Sequence, residues 1–579
     1  MTERLPQNYV PISYDLFIHI IKKKKKADAS VCIQFKKNGD SDEIVLHIKK
    51  NITIKEITQN EIPLTYSISY PKLIINCSKD PLIDITKYPI LIDYTVTADT
   101  ENQVGFFYSD NNYLTFFEPD RARYLFPCYD EPFARSIFKV KLQIPSKLVG
   151  LSNMPIETVT TSNNEKTITF LPTPPMCTYL LCICVGDFHS ISGQTKSGLP
   201  IEFYYKEENE EEEEEEDEDE KITKEEQLNV AIYTVEWMEA KFKVKYELPK
   251  LQLILLSSIP YGMENYGLIT LPTYSGQHLS KNQLLLVVIH EIVHQWFGDL
   301  VSIDYWNSIW LNEGFAQFVQ YLILRDYMAE FGDEDFDVWE FCASVVGYVS
   351  LTFYEKGVLV PSDANIKIAF KRIFNYVLYC KGPFVLKMFY DIMGEEQFID
   401  ICSKYLDKYK NKTVAIPDFI SVVDSTLNKS YSSFFDPWLH TVGFPVLFVK
   451  ETEYDEKNKV IKGIEIEMHS KNDVDFQFNV PILYRKNRKS YEKVVSFVNQ
   501  KVCNVDLDCK WVIVNNNISS LCFVIYSKLL LQRLVYPHKK GMISEITENL
   551  IQLSIDANAF TELYDEGMTD LYNDKFRSE

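Results

Sequence analysis

The first two hundred residues of the chain alternate. In "YDLFIHI" (14–20), "EIVLHIKK" (43–50), "NITIKEI" (51–57), "SIFKVKLQI" (136–144) and "KTITFLP" (166–172), apolar and polar positions exchange at nearly every step, with β-branched and aromatic residues enriched. A period of two with that composition predicts strands that bury one face. No long helical pattern interrupts them, so residues 1–205 are expected to form an all-β domain. From "KEEQLNVAIYTVEWMEAKF" (224–242) the period becomes helical, and residues 226–441 read as helix-rich. Strand patterns return over 442–526 in "PVLFVKE", "KGIEIEMHS", "WVIVNN" and "LCFVIY". The last stretch, 527–579, reads as helical again, most clearly in "SEITENLIQLSIDANAF". At 579 residues the chain exceeds what one hydrophobic core organises. The expected class is therefore multidomain α+β.

Charge adds a boundary to this picture. The formal net charge is −22, and thirteen of the acids stand in one run, "EENEEEEEEEDEDE" (207–220). Such a block repels itself and does not pack, so residues 206–225 read as an acidic insertion or linker, simplest as a solvated loop. The acidic balance argues against a nucleic-acid partner. The one basic run, Lys22–Lys26, lies between two strand patterns and reads as a hairpin tip.

Twelve cysteines follow no regular spacing. In a chain of this length they are most simply free thiols in a reducing compartment. Cys182 and Cys184, in "YLLCICVGDF", share one strand face and read as packing. The start "MTERLPQNYVPISYDLFIHI" has no basic segment leading into an apolar one, so no signal peptide is expected. No run of 18 apolar residues occurs, so no membrane span is expected. A cytoplasmic location follows from these readings.

The chemistry is concentrated in "HEIVHQWFGDLVSIDYWNSIWLNEGFA" (290–316). "NQLLLVVIHEIVHQWF" is apolar enough for a buried helix. On it, His290 and His294 stand four apart, so both imidazoles leave one face a turn apart and can grip one metal. Alone, His-Glu-x-x-His recurs by chance in long chains and would also suit a polar-looking helix. Glu313 changes the balance. It opens a second amphipathic helix, "WLNEGFAQFVQYLILRDY", after eighteen intervening residues beyond His294. Two antiparallel helices would bring it to the third ligand position. Two histidines and one glutamate with an open position make a catalytic Zn2+ site, one per chain, rather than a closed structural one. Such a metal lowers the pKa of its water toward about 7. Glu291, beside His290, is then placed to take the water's proton and return it to a leaving amine. The charge developing on the attacked carbonyl needs a second electrophile besides the metal.

With "HQWFG" and "WLNEGFA" around it, this pattern resembles the gluzincin zinc aminopeptidases of the aminopeptidase N type, a family that includes the puromycin-sensitive aminopeptidase and leukotriene A4 hydrolase. Three further stretches support the resemblance. "YGMENYG" (261–267) is similar to the family's G-A-M-E-N loop. That likeness implies that Glu264 binds the substrate's free α-amine, with Gly262, Met263 and Asn265 also lining the peptide. "FFEPDRARYLFPCYDEP" (116–132) is similar to its T-Q-F-E-P stretch, and implies that Glu118 is a second amine-binding acid. Read without the family, that stretch is a loop between strands with surface charges. "YCKGPFVLKMF" (379–389) resembles Y-x-K-G-A at a helix start, which implies that Tyr379 is the oxyanion donor. Tyr376 is the weaker choice, and a lone tyrosine among 36 otherwise reads as core packing.

"RLPQNYVPISYDL" and "FFDPWLHTVGFPVL" extend the resemblance over nearly the whole chain. It implies an N-terminal saddle-like β domain (1–205), a thermolysin-like catalytic domain (226–441), a small β-sandwich (442–526) and a short helical remnant (527–579). The remnant stands where the family carries a large helical domain. Its loss implies a more open active site, or a homodimer that covers the leftover helix faces. Tyr261 and Gly262 replace the glycine and alanine of G-A-M-E-N, Phe116 replaces a glutamine, and Pro383 stands after Y-x-K-G, which a first helical turn tolerates. The implied function is zinc-dependent release of N-terminal residues from peptides with a free amine. An epoxide hydrolase with residual peptidase activity and a catalytically dead binding protein are the alternatives from other classes. An endopeptidase conflicts with Glu118 and Glu264, because two carboxylates kept for an amine find no partner in the uncharged middle of a peptide.

Overall fold

A computed structural model describes residues 4–21, 25–76, 87–207, 222–273, 280–332, 336–342, 358–361, 373–470, 473–487, 489–516 and 519–539. The chain divides into two compact units. One comprises Met1–Asn312 and Cys402–Ile416, the other Glu313–Ile401 and Pro417–Glu579.

The first unit opens with the expected strands. Tyr9–Ile21 pairs antiparallel with Lys26–Lys37 and parallel with Ile137–Pro145, at the centre of an eight-stranded sheet. Alternation sets which face is buried: Ala27, Ala29, Val31, Ile33 and Phe35 point inward along Lys26–Lys37, with less buried residues between them. The register Ile21↔Lys26 makes the strands on either side of the basic run antiparallel neighbours, and residues 22–24 of that run lie outside the described residues. A three-stranded sheet (Glu43–His47, Lys72–Asn76, Tyr66–Ser69) and a four-stranded one (Val149–Ser152, Ile183–Gly186, Asn112–Phe116, Gly105–Ser109) complete this β-rich region. Cys182 and Cys184 lie fully buried in the cluster behind the second of these, so packing is their role, as expected.

Another four-stranded sheet follows in the chain. His189–Gln194 and Pro200–Tyr205 form a hairpin whose second strand runs parallel to Leu251–Leu256, and that strand runs parallel to Leu268–Pro272. The pairing therefore crosses the expected break at 205. Parallel neighbours need a crossover. The helix Lys224–Phe242 provides it, started by a capping box between Thr223 and Glu226. "LQLILL" (251–256) shows no alternation because both its faces are covered. A second capping box, Ser280 with Gln283, starts the helix Lys281–Val293, and Lys281 meets Glu226 at 2.6 Å.

The second unit is helical and then β. Its helices include Gly382–Met393, Ile416–Leu427 and Ser432–His440, and the ring of Phe389 packs on Phe434 and Phe435 at centroid distances of 5.6 and 5.0 Å. Ile373–Lys381 is π-helical. Residues 442–526 form a four-stranded sheet (Val502–Cys509, Val460–His469, Val446–Asp455, Phe523–Tyr526) and a three-stranded one (Lys489–Ser496, Asn479–Lys486, Val512–Val514). The helix Lys528–Lys539 begins the expected helical end. The rest of that end, with the homodimer face it would offer, and nearly all of the acidic run lie outside the described residues.

The molecule is thus a mixed α+β chain with a β-rich N-terminal region and a helical region after it. Among the described residues no helix is long and apolar enough to cross a membrane.

Candidate metal centre

His290 lies in the last turn of the helix Lys281–Val293, and His294 caps it with helical dihedrals, its N–H donating to the His290 carbonyl at 3.2 Å. The i, i+4 spacing puts their Nε2 atoms 3.0 Å apart, with the rings at 88°. Two tetrahedral ligands on one zinc stand at a similar separation, given roughly 2.0–2.1 Å per Zn–N bond. His294 Nδ1 faces the carbonyl of Phe297 at 2.9 Å. Donation to that carbonyl places the proton on Nδ1 and leaves Nε2 with its lone pair for a metal.

Glu313 follows Asn312 directly, in the first turn of the helix Trp310–Phe331, which begins in the first unit and continues into the second. Its carboxylate and the two histidines have ligand atoms all within 4.8 Å of one another, and all three residues are buried. Two imidazoles and a carboxylate, withdrawn from water and converging, fit zinc. Glu118, Glu264 and Glu313 form a second convergent group within the same 4.8 Å. Like charges at that separation are costly in a buried place unless a cation joins them.

The loop Tyr261–Gly267 passes beside these groups. A Cβ built on Gly262 would stand 2.6 Å from Glu291 Cδ and closer still to its Oε1. The loop backbone and the carboxylate expected to act as base are therefore in contact. Met263 is tied to Thr270 by two backbone bonds of 2.9 and 3.0 Å. Asn265 is fully buried, its Nδ2 reaching the Met263 carbonyl at 3.5 Å. Gly267 has φ +78° and accepts the close approach of the Asn153 carbonyl, which a Cβ would meet at 2.6 Å.

Several residues that fix this arrangement were not singled out by the sequence. Gln295, next to His294, donates Nε2 to the Glu264 carbonyl (2.8 Å) and to Asp299 Oδ2 (2.9 Å). Its Oε1 accepts from the Gly267 amide (2.9 Å) and the Tyr246 hydroxyl (3.3 Å). One side chain thus ties the metal helix to the loop that carries Glu264. Lys250 donates to the carbonyls of Ser152 (2.8 Å) and Gly267 (2.9 Å) and to Gln252 Oε1 (2.6 Å). Burial pulls its ammonium down to about 7. Asn153 Nδ2 holds the carbonyls of Leu180 and Tyr266. Asp299 is fully buried, and its Oδ1 meets no hydrogen-bond partner among the described residues. Burial, and then the charge of Glu264, push this carboxyl well above the usual range. The available signal for Gln295 was its place: a polar residue, directly after a candidate ligand, in an otherwise apolar stretch.

Gly298 (φ +138°) turns the chain away from the helix, close to His294 Nδ1 and Asn312 Nδ2. Tyr379 lies, half-buried, in the π-helical segment Ile373–Lys381 rather than at the start of the following α-helix, which begins at Gly382. Pro383 sits in that helix's first turn, where a missing N–H costs nothing. The side chain of Tyr376 is outside what is described.

Comparison with known proteins bears on the same residues. The peptidase family M1 domain matches residues 226–438 and the peptidase M1 N-terminal domain matches residues 10–180. Over 521 residues the chain is 27% identical to the glutamyl aminopeptidase of Rattus norvegicus, covering 84% of this chain and 53% of that protein. Aminopeptidase M1-B of Oryza sativa subsp. japonica is 27% identical, over 78% of this chain and 52% of its own length. Aminopeptidase M1 of Arabidopsis thaliana is 31% identical over 59% of this chain and 38% of its own length. The chain spans about half the length of the curated relatives that it matches. With both of the family's domain models matched, and the peptidase domain match containing the His290–His294–Glu313 group, the chain belongs to peptidase family M1.

Proposed function

We propose that this chain is a zinc-dependent aminopeptidase that hydrolyses the first peptide bond of peptides with a free N-terminus. One observation carries the reading: a buried two-histidine, one-glutamate group stands beside a second group of carboxylates, Glu118 and Glu264, that suits an ammonium. The similar proteins named aminopeptidases support it.

His290, His294 and Glu313 would hold zinc, which supplies Lewis acidity and a water of lowered pKa when bound. The chain's own residues then divide the remaining work. Glu118 and Glu264 receive the α-amine and so set which bond lies at the reacting centre. Gly262, Met263 and Asn265 give the peptide an ordered edge. Glu291 takes a proton from the attacking water and delivers it to the departing amine. Tyr379 donates its phenolic hydrogen to the oxygen that gains charge. Low exposure around these groups keeps their interactions strong.

The eleven cysteines among the described residues all stand as free thiols, which suits the cytoplasmic location that we also propose. Fractionation of cells producing the tagged chain tests it, and recovery in the secreted fraction would refute it.

Aminoacyl-aminocoumarin substrates, assayed beside their N-acetylated forms with bound metal determined on the same protein, test the enzymatic reading. Cleavage of the free forms alone, lost with chelator and restored by zinc, is expected. Equal cleavage of blocked and free substrates would overturn the role of Glu118 and Glu264. A zinc-loaded chain that cleaves nothing would overturn the enzymatic reading.

A further inference from the structure

The loop Tyr261–Gly267 has a direction that the chemistry can be read against. Its later part is held from three sides. Gln295 bonds the Glu264 carbonyl and the Gly267 amide, Lys250 bonds the Gly267 carbonyl, and Asn153 bonds the Tyr266 carbonyl. Two backbone bonds to Thr270 pin Met263. Glu264 is therefore fixed, and its carboxylate lies within 4.8 Å of that of Glu118, which marks the amine end. Gly262 rests against Glu291, which marks the bond to be cut. Tyr261 comes next along the chain. It is 70% exposed, the most exposed large apolar residue among those described.

In any peptide the order is α-amine, scissile carbonyl, then the residue that leaves, at about 3.8 Å per residue. Loop residues 264, 262 and 261 stand in the same order. We infer that Tyr261 is a specificity-determining residue that contacts the side chain following the cleaved bond, and favours peptides whose second residue is aromatic or large and apolar. This rests on the aminopeptidase reading above. An exposed ring next to the residue that touches Glu291 is contact area that a bound peptide can cover. A tyrosine supplies that area with few rotatable bonds and keeps its hydroxyl in water. Ring-on-ring contact corresponds to about a threefold to tenfold preference.

The test uses three tripeptides, Leu-Phe-Gly, Leu-Leu-Gly and Leu-Gly-Gly, with release of leucine followed by chromatography on the zinc-loaded full chain. The readout is the ratio of kcat/KM values, Phe over Gly at the second position. A wild-type ratio of about threefold to tenfold, falling to within twofold in Tyr261→Gly and kept in Tyr261→Phe, is expected. The same ratio in wild type and Tyr261→Gly, including an equal loss on all three peptides, overturns the inference and leaves the aminopeptidase reading standing. A wild-type ratio near one also overturns it alone. Failure of the wild-type chain to cleave any of the three overturns both.

Discussion

Gly262 and Glu291 compete for one space: the carboxylate of Glu291 lies where a side chain at position 262 would begin. The backbone at 262 thus lies against the far end of the carboxylate that we propose as the base, and Gly262→Ala should make that flexible end shift. Misplacing a catalytic group by about 1 Å costs up to roughly 100-fold. The similar G-A-M-E-N loop carries an alanine at this position, so the carboxylate should find room nearby and kcat should fall by less than about tenfold, with KM and zinc content little changed. Steady-state kinetics with metal analysis check this, and a loss of roughly 100-fold would show that the carboxylate has nowhere else to go.

Glu291→Gln separates proton transfer from metal binding. The ligand group is His290, His294 and Glu313, so the variant should keep one zinc per chain. Loss of a general base costs about 100- to 10,000-fold in rate. Metal analysis beside kcat reads both, and loss of zinc in the variant would count Glu291 among the ligands instead.

Metal removal should be visible without any substrate. Two imidazole nitrogens 3.0 Å apart and a buried carboxylate are a site that zinc stabilises. Zinc at 100 times its Kd would add about 2.7 kcal/mol to the folded state. Differential scanning fluorimetry should show a lower Tm in chelator and recovery on adding zinc. His294→Ala and Glu313→Ala should lose most of that response. A Tm indifferent to zinc in the wild-type chain would rule against the site.

Gln295→Leu removes four hydrogen bonds, two of which join the end of the metal helix to the loop. Leaving buried groups such as the Glu264 carbonyl and the Gly267 amide unpaired costs about 1–3 kcal/mol each. The loop positions Glu264, which we propose holds the substrate's amine before and during reaction. KM for unblocked substrates should therefore rise about tenfold, with a smaller change in kcat. An effect on kcat alone would place Gln295 with the base rather than with the amine pocket.

Lys250 gives a pH signature. Burial pulls its folded-state pKa to about 7, while the unfolded chain keeps the ordinary value of 10.5. Between these values the unfolded chain binds a proton that the folded one does not, so this group adds stability as pH rises from 7 toward 10.5. Below pH 7 both states are protonated and the contribution is flat at its lowest. The slope is about 1.4 kcal/mol per pH unit within that window. The Tm of wild type relative to Lys250→Met should climb between pH 7 and 9 and stay level between pH 5.5 and 6.5. A difference in Tm that does not vary with pH would mean that the three acceptors around the ammonium keep it charged throughout.

Much of the fold was legible because its signals are local. Alternation along Lys26–Lys37 decides which residues face inward, and the switch to a helical period at 224 marks the crossover helix. The residues of the candidate metal site were legible for the same reason. His290 and His294 are one turn apart on one helix, and that spacing alone brings their nitrogens together. Glu313 was readable through its neighbours, since it opens a helix whose apolar pattern is plain.

The pairing of Pro200–Tyr205 with Leu251–Leu256 was not legible, because no local pattern records which strand lies beside which. Nor were the roles of Gln295, Lys250 and Asn153. Each is an ordinary polar residue until the fold supplies the carbonyls and amides that it must satisfy, and those come from segments up to 113 positions away. The sequence by itself determined the elements, the family and the residues able to hold a metal, because side-chain chemistry and helical or strand periods are properties of short stretches. Only the tertiary structure decided that Gly262 lies against Glu291, that one glutamine ties the metal helix to the loop bearing Glu264, and that Tyr261 is left facing solvent. Those facts depend on distances between parts of the chain that nothing local specifies.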